Sequence, residues 1–385
     1  GMRNSIGHLL LSLLPAFASS DPLFPRQVHT CKVGQETYSV TYTTDYGPAE
    51  SSQPGGRTTV QWWQSASSSG NITVSTNVGS NVTFPVPIAW DETGEFINAN
   101  ISHNLSIHTV LMTNLSAKED YQYRVGNDAD GWSNVFTLRT LPTSKPNEDS
   151  PLQIAVVGDF GIHDTTAQTL PALQNEAFKK TIDAVLHIGD IAYDLDLKRG
   201  EVGDEFMEAI EPIASSVPYF ACPGNHEFNY NFTAFTHRFN GLPTNDGDTW
   251  GKIPPELGAN VAGMKNNLFY SFDIANVHFV SLSTELIVDI LDVTPETRYG
   301  FQYPDMTGWQ SDFLVNDLEA NRANNLTDWI VVFSHHPMYC SCEDDDCKGK
   351  HAEAVRQGVP GNEGAGLENT LLKYGVDLYL SGHGE

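Results

Sequence analysis

Basic residues are scarce: 21 Lys and Arg stand against 48 Asp and Glu, for a formal net charge of −27. That balance argues against a nucleic-acid or anionic-membrane binder, because such proteins carry basic patches. It leaves phosphate substrates open, since bound multivalent cations would be the largest local charges in a site and would reverse its sign. Long apolar runs are missing beyond the N-terminus, and none reaches the ~20 residues that span a bilayer. There is no internal repeat and no long low-complexity tract. Cysteine is sparse, at five: Cys31, Cys222, Cys340, Cys342 and Cys347. With 40% apolar and 10% aromatic residues over 385 positions, the chain can nonetheless bury the cores of two domains.

The N-terminus carries what the rest lacks. Residues 2–20, MRNSIGHLLLSLLPAFASS, have one early Arg3, an apolar stretch over Leu9–Leu14, and small residues Ala16, Ala18, Ser19 and Ser20. This pattern is that of a secretory signal peptide (1–20) cleaved near Ala18, with a buried N-terminal helix as the alternative. Asn71, Asn81, Asn100, Asn104, Asn114, Asn231 and Asn325 each open an Asn-x-Ser/Thr sequon, as in a secreted chain bearing N-linked glycans. In such a chain the last three cysteines are expected to include a disulfide, with Cys340–Cys347 preferred. Zinc at Cys340, Cys342 and Cys347 would lack a nearby fourth ligand. Cys222 is expected as a buried thiol.

Residues 28–142 read as a β domain. TTVQWWQSA (58–66), NVTFPVPIAW (81–90), LSIHTVLMTNL (105–115), DYQYRVG (120–126) and GWSNVFTLRTLP (131–142) are short, aromatic or β-branched, and separated by turn residues. A sandwich of immunoglobulin or fibronectin type III kind is expected, in a structural role. Residues 143–151 read as a linker. From 152 to 385 apolar runs alternate with helical stretches: LQIAVVGDFG (152–161), a helix within 166–180, DAVLHIGDIAY (183–193), a helix around 203–215, VPYFACPGNHE (217–227), VHFVSLSTE (277–285), a helix over 309–323, DWIVVFSHHPMY (328–339) and VDLYLSGHGE (376–385). This is the grammar of an α/β domain with layered sheets flanked by helices.

Five of these runs end in side chains that ligate metals: Asp159; Asp190 with Tyr193; Asn225 with His226; His335 with His336; and His383. Each alone has a bland reading, as a helix cap, a turn residue or a hydrogen-bonded histidine. Five at successive strand ends are hard to explain separately, because sites in α/β sheets form beyond the carboxyl ends of strands.

The order also resembles the purple acid phosphatases, within the binuclear metallophosphoesterases. Their pattern is matched by Asp159-Phe160-Gly161, Gly189-Asp190-Ile191-Ala192-Tyr193, Gly224-Asn225-His226-Glu227 and Val332-Phe333-Ser334-His335, and in half by Gly382-His383-Gly384-Glu385. The resemblance extends to the fibronectin-like domain and to HHPMYCS. It implies an Fe(III) held by Asp159, Asp190 and Tyr193. A divalent iron, zinc or manganese would be held by Asp190, Asn225, His335 and His383. It further implies hydrolysis of phosphate monoesters by a metal-activated water, with a cationic histidine stabilising the phosphate and protonating the leaving group. His226 is the first candidate for that role, His351 and His336 the next. An acidic optimum follows from an imidazole pKa of ~6.5.

Where the family has a second His, this sequence has Glu385. A carboxylate there can ligate Fe(III), but a ligand on the final residue is costly to order, so weaker metal retention and lower activity are expected. A phosphodiesterase or nucleotidase of the same superfamily, and a metal-poor binding protein on this fold, are the rival readings. A homodimer is compatible with the sequence; a membrane or nucleic-acid partner is not expected.

Overall fold

The computed structural model describes residues 23–45, 58–65, 73–85, 104–162, 168–244, 252, 265–292, 304–341, 349–359 and 363–383. The expected signal peptide at 1–20, and Glu385, lie outside them.

Among the described residues, nine strands build the N-terminal sandwich. One sheet runs β1 (Arg26–Gly34), β2 (Thr37–Asp45), β6 (Asn104–Met112), β5 (Ser80–Pro85). The other runs β4 (Ser75–Val78), β3 (Thr59–Gln64), β7 (Asp120–Asn127), β8 (Gly131–Trp132), with β9 (Phe136–Arg139) also paired to β7. Alternation sets the buried face: on β7, Tyr121, Tyr123 and Val125 are buried between the partly covered Gln122 and Arg124. With Val40, Trp62, Val110 and Leu138 they close the sandwich core.

The sequence reading placed no strand over β1 or β2. Both are buried almost end to end, and their covered residues include Thr30, Ser39, Thr41 and Thr43. One face of this sheet packs in the sandwich and the other meets the second domain, so the apolar–polar alternation that marks a half-exposed strand is lost.

Among its described residues the second domain holds two sheets. β10 (Ile154–Val157), β11 (Ala184–Ile188) and β12 (Tyr219–Cys222) are parallel neighbours. β13 (Tyr270–Ile274) and β14 (Val277–Ser281) form a hairpin, continued in parallel by β15 (Trp329–Phe333) and β16 (Leu378–Leu380). β11 and β12, AVLHI and YFAC, are buried at every residue, as strands covered on both faces require.

Helices α1 (Thr169–Phe178), α2 (Glu201–Ala214), α3 (Asn229–Arg238), α4 (Glu285–Asp292), α5 (Pro304–Asn324), α6 (Lys350–Gln357) and α7 (Leu367–Lys373) flank the sheets. On α2, Val202, Phe206, Ile210 and Ile213 recur at helical spacing and are buried.

The two domains share one core: Cys31, Phe84, Leu105 and Ile107 of the sandwich belong to the same apolar cluster as the sheets of the second domain. Polar contacts lock the same seam. The Thr30 hydroxyl donates to Ala214 O at 3.0 Å, Tyr123 to Ser215 O at 2.8 Å, and Lys32 Nζ to Asp273 O at 2.6 Å. Arg238, fully buried, donates across the seam to Gln27 Oε1 at 3.5 Å while held by Asp204 Oδ1 at 2.8 Å and Gly200 O at 3.0 Å.

Candidate metal centre

The carboxyl ends of both sheets meet at one point. After β10 and β11 the chains stay paired: Asp159 N donates to Gly189 O at 3.1 Å, Phe160 N to Asp190 O at 3.1 Å, and Ala192 N to Phe160 O at 3.0 Å. After β15 and β16, Ser334 N reaches Leu380 O at 3.1 Å and Gly382 N reaches His335 O at 2.9 Å. The sheet ladders thus carry on into the two loop pairs that present the donors.

His335 bridges the sheets. Its ring is buried, and Nδ1–H donates to Ile188 O at 3.0 Å. That bond fixes the tautomer and leaves Nε2 bare, the arrangement of a metal-ligating histidine. Around Nε2 lie Asn225 Oδ1 at 3.0 Å, His383 Nδ1 at 3.1 Å and Asp190 Oδ1 at 3.2 Å. Asp190, His335 and His383 offer atoms that all lie within 4.8 Å of one another. Asp159 joins from the far side, where its carboxylate accepts His383 N–H at 3.0 and 3.2 Å. Tyr193 closes on the same residue, donating to the backbone carbonyl of Asp159 at 3.0 Å.

Backbone conformation aims these side chains. Asp159, Asp190, Tyr193 and His383 all sit in the left-handed region, with φ of 52°, 51°, 50° and 68°. Such geometry costs of order 1–3 kcal/mol per residue and persists where the surroundings over-determine it, typically at functional sites. The motif glycines make the room. A Cβ on Gly189 would lie 2.5 Å from His335 Nδ1, and one on Gly382 would lie 2.5 Å from Asp159 Oδ2. One on Gly224 would press into the Asp190 carboxylate.

The electrostatics favour positive charge at this centre. Burial pushes the Asp190 carboxyl up, but the hydrogen bond and charge of His335, with His226, outweigh it and hold it below its ordinary value. Burial lowers His335, yet Asp190 together with Glu285 and Asp159 raises it to about 9. A proton on His335 answers the same negative charge that a metal ion would. His383 moves the other way, to about 4, through burial and the neighbouring His336 and His335. Its Nε2 is buried without a partner. Bare imidazole nitrogens, an amide oxygen and carboxylates turned inward on one centre fit a first-row transition metal.

The other expected histidines divide. His226 Nδ1 lies 2.9 Å from Asp194 Oδ1 and Nε2 lies 3.8 Å from Asp190 Oδ2. Burial lowers its pKa, and Asp194 with Asp190 raises it to about 9. His336 is buried, its ring centroid 4.0 Å from that of His383. His351, on α6, stands edge-on to His336 at 5.5 Å.

Three acidic residues were given no role in the sequence reading, although Glu227 stands within the Gly224-Asn225-His226-Glu227 motif. Asp194 orients His226. Glu227, buried, accepts Ile191 N–H and Gly224 N–H at 2.8 Å each, tying the loops of Asp190 and Asn225 together. Glu285, fully buried, contacts His336. Asp194 and Glu227 lie beside strand ends already singled out, whereas Glu285 follows β14, whose end is not among those five.

Residues 152–384 match the family model of calcineurin-like phosphoesterases, and residues 25–140 that of the purple acid phosphatase N-terminal domain. The chain belongs to the purple acid phosphatase family. Acid phosphatase type 7 of Mus musculus is 34% identical over 93% of this chain and 69% of its own length. Its Homo sapiens counterpart is 37% identical over 75% of this chain and 58% of its own. Among solved structures, a purple acid phosphatase from seeds of yellow lupin, Lupinus luteus, superposes with a TM-score of 0.62 at 19% identity. That match covers 94% of this chain and 59% of the lupin chain. The chain therefore spans roughly three-fifths to two-thirds of the length of these purple acid phosphatase relatives.

Proposed function

We propose that the chain is a secreted, metal-dependent acid phosphatase acting on phosphate monoesters. The observation that carries this reading is the meeting of Asp190, His335 and His383, with His335 Nδ1 already committed to Ile188 O. Asp159, Asp190 and Tyr193 would hold Fe(III), with Glu385 at the position of the family's last histidine. Asp190, Asn225, His335 and His383 would hold a divalent iron, zinc or manganese. Bound there, the ions would supply positive charge to phosphoryl oxygens and acidify water for in-line attack on phosphorus.

The chain's own residues prepare the rest. Asp194 takes the Nδ1–H of His226 and leaves Nε2 on the side of Asp190. A proton held at Nε2 is what a departing alkoxide needs. His351 and His336 extend the histidine face beyond it. Secretion and N-linked glycans are supported by Cys340, which is disulfide-bonded, and by the exposure of Asn81, Asn114 and Asn325. The choice between Cys347 and Cys342 as its partner lies outside the described residues. No helix among the described residues is long and apolar enough to cross a membrane.

The test is metal content and p-nitrophenyl phosphate hydrolysis at pH ~5, in the wild-type chain and in Asp190→Asn. Wild type is expected to bind metal and hydrolyse the ester, and the variant to lose metal and at least about a hundredfold in rate. A metal-free wild type without activity refutes the reading. A diester panel separates the phosphodiesterase alternative.

A further inference from the structure

Glu285 opens α4 directly after β14 and is fully buried. Its Oε2 lies 3.2 Å from Nε2 of His336, and neither side chain is more than 3% exposed. The residue before it grips the same histidine elsewhere: Thr284 Oγ1 accepts the backbone N–H of His336 at 2.9 Å. Tyr379 adds a third hold, donating to His336 O at 2.7 Å. Backbone and ring are therefore both fixed, and the ring by one atom only. The other ring nitrogen, Nδ1, is buried with no partner, in a ring 4.0 Å from His383 and 5.5 Å from His351. A buried imidazole nitrogen left unpaired is costly unless something meets it. His336 is not one of the donors that meet at Asp190, His335 and His383, but its ring packs against two of them, so a ligand held at that cluster is the neighbour the structure offers it.

We propose that Glu285 is a positioning residue for phosphate-ester binding, acting through His336: its carboxylate accepts Nε2–H and holds the ring so that the bare Nδ1 accepts the P–OH hydrogen of the singly ionised ester. This rests on the phosphatase reading above. It assigns a role to a residue that lies in none of the metal-ligand motifs, and it makes His336 a binding group instead of a packing residue. The carboxylate–histidine arrangement is the one that orients imidazoles at many reactive centres.

The probe is inorganic phosphate, titrated calorimetrically into the metal-loaded protein. Glu285→Gln is expected to weaken phosphate binding and kcat/KM for p-nitrophenyl phosphate by about tenfold or more, with metal content unchanged. His336→Asn is expected to cause a similar loss, and the double variant to add little to it. Glu285→Asp should recover part of the loss. Ring-nitrogen NMR of the metal-free protein is expected to place a proton on Nε2 of His336, with a resonance that moves in Glu285→Gln. Losses that multiply in the double variant, phosphate affinity retained in Glu285→Gln, or an unmoved ring resonance would each overturn the proposal. A wild type that neither binds metal nor hydrolyses esters defeats the phosphatase reading instead, and the NMR result still judges the Glu285–His336 pair.

Discussion

At the scale of single residues, the glycines beside the donors are as specific as the donors. Gly224 has ordinary extended backbone, so its role is space and not conformational freedom: the volume of a methyl group is already filled by the Asp190 carboxylate. Gly224→Ala must displace either Asp190 or the loop of Asn225. Overpacking of this kind costs ~1–3 kcal/mol, which a two-domain chain can survive. The expected outcome is a folded protein, by circular dichroism and melting, whose bound metal falls well below wild type. Full metal retention would show that the loop has slack the geometry denies. This scale was the most legible in the sequence. Asp159, Asp190, Asn225, His335 and His383 converge because each follows an apolar strand run, and that pattern is written in single letters. Glu285 and Asp194 were not legible, since an acid at a helix start or after a tyrosine has many ordinary explanations. Only the partner, buried His336 or half-buried His226, sets it apart.

At the scale of elements, the runs β10, β11, β12, β14, β15 and β16 were readable because central strands carry unbroken apolar stretches. β13 was not, and the reason is instructive. Its sequence YSFDI carries Ser271 and Asp273, which look like turn residues until their partners are seen. Ser271 Oγ donates to Asp317 Oδ1 on α5 at 2.7 Å. His278, on β14, sits between two carboxylates, with Nδ1 2.7 Å from Asp273 Oδ1 and Nε2 2.7 Å from Asp317 Oδ2. The clamp pins α5 across the β13–β14 hairpin. Burial lowers the pKa of His278, but the hydrogen bonds its ring donates to Asp273 and Asp317 raise it to about 9. A raised histidine contributes stability that is fully present below its unfolded value of ~6.5 and is lost as pH climbs through about 9. With Asp273 half exposed and screened, the contribution is roughly 2–3 kcal/mol. His278→Gln is expected to lower the melting temperature markedly at pH 6 and only slightly at pH 10. A deficit of equal size at both values would mean that the ring acts through packing and not through charge.

At the scale of the whole molecule, the shared core makes the two domains one cooperative body, and neutral histidines are buried at its seam and in the sheet behind it. His29, on β1, donates to Gln27 O and packs on Phe239. His237, on α3, donates to Thr233 O and stacks at 4.8 Å on Phe84 of the sandwich. His187, on β11, meets the Tyr219 hydroxyl at 2.8 Å. Burial lowers the three to about 4, about 4 and about 3. Each therefore takes stability away as pH falls from ~6.5 towards those values, because the unfolded ring binds the proton first. Two acids act in the opposite sense. Burial raises Glu211, which accepts Val28 N–H across the seam, to about 7, and burial with Asp194 raises Asp196 to about 6. Between pH ~4.5 and ~6, these three histidines subtract a proton each and the two acids return one each, while His383, lowered to about 4, and Glu227, raised by burial to about 8, offset one another. The net is one proton, or ~1.4 kcal/mol of stability lost per pH unit. Above ~6.5 the His278 clamp sets the opposite slope, so the metal-free protein is expected to be most stable near pH 6.5. His237→Gln removes one of the three histidines, and its acid limb between pH 4.5 and 6 should be nearly flat when melts are compared with wild type. Stability that keeps rising below pH 6.5, or a variant limb as steep as wild type, would take these rings out of the balance and leave the acid behaviour of the molecule to its metal site.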